Sequence, residues 1–126
     1  MLKRGFLQNA QQASEPGNKF DKGKLRMDLI PICVEEALAR ALTYGAKEYG
    51  DRNWEQGFSW SRAYGALRRH LAAFWARQDL DEESSLHHLD LALAELAFLR
   101  TFAHFDAYRE FDDRPNGRIF NARLEE

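Results

Sequence analysis

The sequence holds one cysteine, Cys33, and three prolines in 126 residues. A lone cysteine excludes an internal disulfide and fits a reducing compartment. No apolar run approaches the roughly 20 residues that a membrane-spanning helix needs. The opening stretch MLKRGFLQNAQQ is briefly basic but lacks the apolar centre of a secretory signal. An excess of positive charge is missing as well. Eighteen Lys and Arg against 20 Asp and Glu leave a formal net charge of −2, which argues against a general nucleic-acid binder. Alternating apolar and polar residues, the mark of a half-buried strand, do not occur, and there are no internal repeats. What remains is a chain with 44% hydrophobic and 13% aromatic residues, enough for one globular core and too much for disorder. These features predict a soluble cytoplasmic protein.

The apolar spacing predicts an all-α fold. Residues 1–18 are polar and end in Glu15-Pro16-Gly17-Asn18, which reads as a mobile arm. A domain is expected over residues 19–108. Pro31 suits a first helical turn, with Asp28 as a cap before it. From there to Tyr49, residues Val34, Ala37, Leu38, Ala41, Leu42 and Gly45 recur at helical spacing, and Gly50-Asp51 ends the run. After the loop DRNWEQGFS, Ser59 or Ser61 can cap a second helix reaching about Gln78, with Tyr64, Leu67, Leu71, Phe74 and Trp75 on one stripe. The acidic turn DLDEESS, read as solvated loop, leads to a third helix over about 86–108. That helix is apolar on most sides and is therefore expected to be central. Residues 109–126 read as an irregular tail, with Ile119 and Phe120 available to pack on a partner.

Three groups of residues carry chemistry. The segment KFDKGKLRMDLIP concentrates Lys19, Lys22, Lys24 and Arg26 around Gly23, a glycine that permits close backbone approach, and suits a polyphosphate. Glu35 and Glu36, then Glu48 and Asp51, place four carboxylates on or just past the first helix. The i, i+3 spacing of Glu48 and Asp51 can bring two oxygens onto one hard divalent ion, Mg²⁺ or Mn²⁺. The alternative for these acids is a solvated helix face. Glu36 and Glu48 lie about 18 Å apart along a straight helix and cannot share an ion on it: either the helix breaks near Tyr44-Gly45, or the two pairs serve different ions, or a second subunit intervenes. On the second and third helices, Arg69, His70, His88, Asp90 and Glu95 interrupt apolar runs. A buried carboxylate such as Glu95 needs a partner; Arg69 could be one. His70 has an ordinary reading as a hydrogen-bonded core residue. Asn53 and Trp54 offer an amide and a flat ring that suit a base, although Trp54 could equally plug the core.

Taken in order, KFDKGKLRMDLIP, LTYGAKEYGDRNWEQG, YGALRRHLAAFW and DLDEESSLHHL resemble the phage and bacterial dATP/dGTP diphosphohydrolases. These stand within the wider MazG/HisE-like all-α nucleoside triphosphate pyrophosphohydrolases. The resemblance covers about residues 18–103. Some phage members are similar to the enzyme that forms dGMP from dGTP on the route placing 2-aminoadenine in phage DNA. The resemblance implies a MazG-like helical bundle, an obligate dimer or tetramer, and Mg²⁺-dependent cleavage between the α- and β-phosphates with release of pyrophosphate. For a phage-encoded chain, the site of action would be the host cytoplasm. The wider superfamily uses EExxE on one helix and ExxD on the next. Here Ala39 stands where the third acid after Glu35-Glu36 would fall. If the second and third helices are the equivalents, the acidic positions are held by Arg69, His70, His88 and Asp90. Both registers remain open on the sequence.

The reading is a purine dNTP diphosphohydrolase, with dGTP the first-choice substrate and Mg²⁺ or Mn²⁺ the cofactor. Glu36 and Glu48 are its candidate catalytic carboxylates, and Glu35, Glu36, Glu48 and Asp51 its metal ligands. Lys19, Lys22, Lys24, Arg26, Asn53, Trp54, Arg69, His70 and His88 are its candidate substrate contacts. Neutralising a triphosphate demands divalent ions plus Lys and Arg, which this set supplies. One competing function is a non-catalytic helical protein that binds nucleic acid or a host factor through its basic segments. Another is a metal phosphohydrolase built on His70, His88 and Asp90 that releases triphosphate or phosphate. The expected partners are the nucleotide and further copies of the chain, with no membrane and no nucleic acid.

Overall fold

The computed structural model describes residues 16–116 and divides the chain into two compact units that meet between Pro31 and Ile32. Most of the expected N-terminal arm, and Ile119 and Phe120, lie outside the described residues. In the first unit the chain turns at Asp21–Lys24, closed by the Lys24 N–H donating to the Asp21 carbonyl at 3.0 Å. Gly23 takes a φ of +82° there, a value that favours glycine. A 3₁₀ turn follows at Met27–Leu29. Asp28 does not serve as a free helix cap, because its carboxylate takes two hydrogen bonds from Arg26, at 2.8 and 2.7 Å.

The second unit is helical, with no strands among the described residues. Helix α1 spans Ile32–Tyr49, α2 spans Trp60–Trp75 and α3 spans His88–His104. The last two are shorter than periodicity suggests, for local reasons. Helix α2 closes with Arg77 at φ 68° and with the Gln78 N–H returning to the Ala73 carbonyl at 3.0 Å, a left-handed C-terminal closure. Helix α3 begins one residue after His87, whose Nδ1 accepts from the Leu89 N–H at 3.0 Å and caps the first turn. Its apolar pattern continues past His104 as a 3₁₀ turn at Asp106–Phe111.

Helix α3 packs against both α1 and α2, as its nearly all-round apolar sequence predicts. Small side chains let the three axes approach: Ala37 and Ala41 of α1, Ala63 of α2, and Ala92 and Ala94 of α3 are buried. The stripe on α2 is only partly covered. Trp60 and Ala63 are buried, Leu67 and Phe74 are half-buried, and Tyr64, Leu71 and Trp75 are exposed. Periodicity marks a face as apolar but does not say what covers it.

An aromatic cluster pins the loop after α1 to the end of α3. Trp54 lies 4.8 Å from Phe98 and 6.3 Å from Phe102, ring centre to ring centre, and Phe58 meets Phe102 edge-on at 5.2 Å. The turn at Asp106–Phe111 docks on the same loop. Tyr108 donates its hydroxyl to the Glu55 carbonyl at 2.6 Å, and Gly57 sits so close that a Cβ there would fall 2.5 Å from the Phe111 ring. Asp113 then accepts from the Ser61 N–H at 2.9 Å, and Arg114 lies 4.7 Å over the Trp60 ring. Residues 109–114 therefore belong to the helical unit, which extends past the expected boundary at residue 108.

Candidate functional site

A groove of about 1270 Å³ opens in the helical unit. Its walls come from the second half of α1, the loop 50–58, the inner side of α2, the α2–α3 loop and the middle of α3. Helix α1 stops abruptly at its edge, and the loop that follows supplies one wall. The Gly50 N–H donates to the Ala46 carbonyl at 2.8 Å, and Gly50 and Arg52 take φ values of 98° and 57°. These left-handed turns send the chain across the open end of the bundle.

Arg52 of the loop and Arg62 and Arg69 of α2 line the groove together with the carboxylates of Asp51, Glu55, Asp81, Glu83 and Glu95. Glu95 is a half-buried carboxylate among apolar neighbours, and burial pushes its pKa up to about 7 while the Arg69 charge pulls partly the other way. Arg69 is thus the electrostatic neighbour of Glu95. Tyr44 reports the acidity of the rim. Burial first, then the charges of Glu48 and Glu83, hold its hydroxyl above the ordinary value.

At one end of the groove the α2–α3 loop folds back over the bundle. Leu80 and His87 form an isolated bridge, the Asp81 N–H donates to the Leu86 carbonyl at 2.8 Å, and the His88 N–H donates to the Asp79 carbonyl at 2.8 Å. This closure brings Asp81 to His70 of α2 and His88 of α3, with one potential ligand atom from each lying within 4.8 Å of the others. The two imidazoles meet through Nδ1 atoms 2.9 Å apart, so one nitrogen carries the proton and the other accepts it. Burial, and then His88, hold His70 below its usual pKa. Burial alone would raise Asp81. The Ser84 N–H and hydroxyl, each donating to Oδ2 at 2.9 Å, and the nearby histidines outweigh it and leave Asp81 below the usual carboxylate value.

The acidic turn is therefore not plain solvated loop: Asp81 is half-buried and structurally committed. The sequence carried a general signal for this, since Asp and Ser favour turns in which their side chains bond nearby backbone. Asp90, grouped with the histidines on sequence, turns elsewhere and accepts from Arg40 of α1 at 3.0 Å. His88 is buried behind His70 and does not line the groove.

The remaining expected residues scatter. Helix α1 is continuous from Ile32 to Tyr49, so no break at Tyr44-Gly45 brings Glu36 to Glu48. Glu35, Glu36 and Glu48 are exposed and do not line the groove; Asp51 does. Asn53 lines it with its Oδ1 accepting from Gln56 at 3.1 Å, and Trp54 is half-buried, combining the core contacts above with a place in the groove wall. Lys19, Lys22 and Lys24 are exposed in the first unit, and Arg26 is held by Asp28.

Residues 14–114 match the family described as dATP/dGTP diphosphohydrolase, N-terminal. The matched segment contains the whole groove and the His70, Asp81 and His88 cluster. The chain belongs to this family. A named relative is the dATP/dGTP diphosphohydrolase of Salmonella phage PMBT28, 39% identical over 83 residues. The aligned part is 66% of this chain and 28% of the relative, so the chain spans under a third of that protein's length. No solved structure matches the chain. Among the described residues of this family member, no helix is long and apolar enough to cross a membrane.

Proposed function

We propose that the groove binds a purine deoxynucleoside triphosphate and that the domain hydrolyses it to the monophosphate and pyrophosphate, with dGTP the preferred substrate. The observation that carries this reading is the groove lined by Arg52, Arg62, Arg69 and five carboxylates inside the family's matched segment. A triphosphate needs cations at its phosphates, and carboxylates that gather divalent ions supply the rest of that field. The relative's name specifies the two purine nucleotides dATP and dGTP.

In this reading Arg69 and His70 meet the phosphates. Trp54 stacks on the base. Asn53 and neighbouring carboxylates accept from the N–H and amino donors of a guanine edge, and acceptors that the bound base covers but another base leaves unpaired give rejection. Glu48 and Asp51, three residues apart at the end of α1, are the oxygen ligands for Mg²⁺ or Mn²⁺. Glu35 and Glu36 lie about 18 Å up the same helix and would serve a separate ion or a neighbouring copy. Self-association belongs to this reading too, because Leu71, Trp75, Leu96 and Phe105 leave large apolar side chains exposed.

The test is to incubate the purified protein with each dNTP and Mg²⁺ or Mn²⁺ and to identify the products. Monophosphate and pyrophosphate from purine substrates support the proposal. No turnover of any dNTP with either ion would leave a non-catalytic binding role. Equal efficiency on dGTP, dATP, dCTP and dTTP would remove the specificity claim alone.

A further inference from the structure

We infer that His70, Asp81 and His88 form a binding site for one divalent first-row transition-metal ion, selective against Mg²⁺. The three ligands come from three places in the chain: the middle of α2, the α2–α3 loop and the first residue of α3. Nothing in helix packing by itself requires two histidines and an aspartate to converge. The loop closure does this through the Leu80–His87 bridge and the backbone bonds at Asp81 and His88.

The spacing suits an ion. With metal–nitrogen bonds of about 2.0–2.1 Å, two ligands at right angles lie about 3 Å apart, and the two Nδ1 atoms are 2.9 Å apart. Asp81 completes the set. Both Ser84 hydrogen bonds end on Oδ2, so Oδ1 can turn toward the ion while the rest of the carboxylate stays anchored. Such outer hydrogen bonds orient a ligand and strengthen a site. Selectivity follows from the donors. Imidazole nitrogen favours Fe²⁺, Co²⁺, Ni²⁺ and Zn²⁺, with Mn²⁺ the weakest of the series, whereas Mg²⁺ demands oxygen and keeps its waters. Three protein ligands leave positions open, and His70 and Asp81 both line the groove. A bound ion would therefore be reachable by a substrate phosphate. That last role rests on the nucleotide reading; the binding of the ion does not.

The test uses the full-length protein stripped with chelator and then titrated with Co²⁺ by visible absorption and with Mn²⁺ by electron paramagnetic resonance. With Mg²⁺ in excess to fill oxygen-only sites such as Glu48 and Asp51, the expected result is one saturable transition-metal ion per chain. His70→Asn and Asp81→Asn should each weaken Co²⁺ binding by at least about tenfold, the lower end of what even outer-sphere changes cost a metal site. His87→Asn, which keeps a helix-capping acceptor, should bind Co²⁺ unchanged. Circular dichroism establishes that each variant is folded. Independently of any variant, Co²⁺ should shift the ring signals of His70 and His88 in the unmodified protein and leave those of His104 in place. Absence of saturable binding, displacement by Mg²⁺ at equal concentration, or unshifted His70 and His88 rings would each overturn the assignment. Turnover of dNTPs with no ion bound at this cluster would separate the two proposals in the other direction.

Discussion

Glu95 offers the most direct check on the electrostatics of the groove. Its pKa is pushed from an ordinary 4.5 up to about 7 by burial, with Arg69 opposing. Between those values the folded protein holds a proton that the unfolded chain has released. Stability is therefore fully present below about pH 4.5 and is lost as pH rises through about 7. At about 1.4 kcal/mol per pKa unit, the gap has an upper limit of roughly 3.5 kcal/mol. Water reaches the half-buried side chain and screens it, so the realised loss should be about 1–2 kcal/mol. Glu95→Gln keeps the shape and removes the titration. Urea unfolding followed by circular dichroism, at fixed protein concentration with chelator, should give equal stabilities for the two proteins near pH 4.5. At pH 8 the variant should be the more stable by about 1–2 kcal/mol. Other titrating groups are common to both proteins and cancel in the difference. Removing the opposing charge with Arg69→Leu should move the stability loss to higher pH. Parallel pH profiles for the native protein and Glu95→Gln would refute the argument, because they would mean that the carboxylate is not desolvated.

Gly57→Ala should cost about 1–3 kcal/mol in urea midpoint analysis, since the added Cβ meets the Phe111 ring at 2.5 Å and the residue sits at φ +91°; a neutral result would mean that the 106–111 turn is not docked. Arg40→Met should destabilise by about 1–3 kcal/mol by leaving the buried Asp90 unpaired, and adding Asp90→Asn should restore part of that loss in a double-mutant cycle. Glu48→Gln and Asp51→Asn should each lower dGTP turnover by at least about tenfold with the helical signal intact, and Glu36→Gln should do the same if its separate ion is catalytic; full activity in all three would move the chemistry to the α2–α3 end of the groove. Asn53→Ala and Trp54→Ala should alter the dGTP to dCTP efficiency ratio, measured as kcat/KM.

The sequence by itself determined the class of the fold and the family. Apolar spacing near 3.6 residues located all three helices, and the nearly all-round apolar third one was the helix that packs against both others. The words YGAKEYGDRNW and DLDEESSLHHL carried the family, and the matched segment contains both. Local chemistry also marked the stop at Gly50. The members of the site were a different matter. Whether an acid is a ligand, a cap or half of an ion pair depends on what stands opposite it, and a period carries no such information. Asp28 read as a helix cap and Asp90 as an alternative metal-site acid beside His70 and His88, and both are held by arginines. Asp81 read as solvated and instead faces two histidines from different helices. Within one chain, Glu36 and Glu48 had a route to a shared ion only if α1 broke, and α1 runs unbroken through Gly45. The convergence of His70, Asp81 and His88 depends on how far the loop after Arg77 folds back. That is fixed by a left-handed residue and a few backbone hydrogen bonds between distant positions, which only tertiary closure brings within reach.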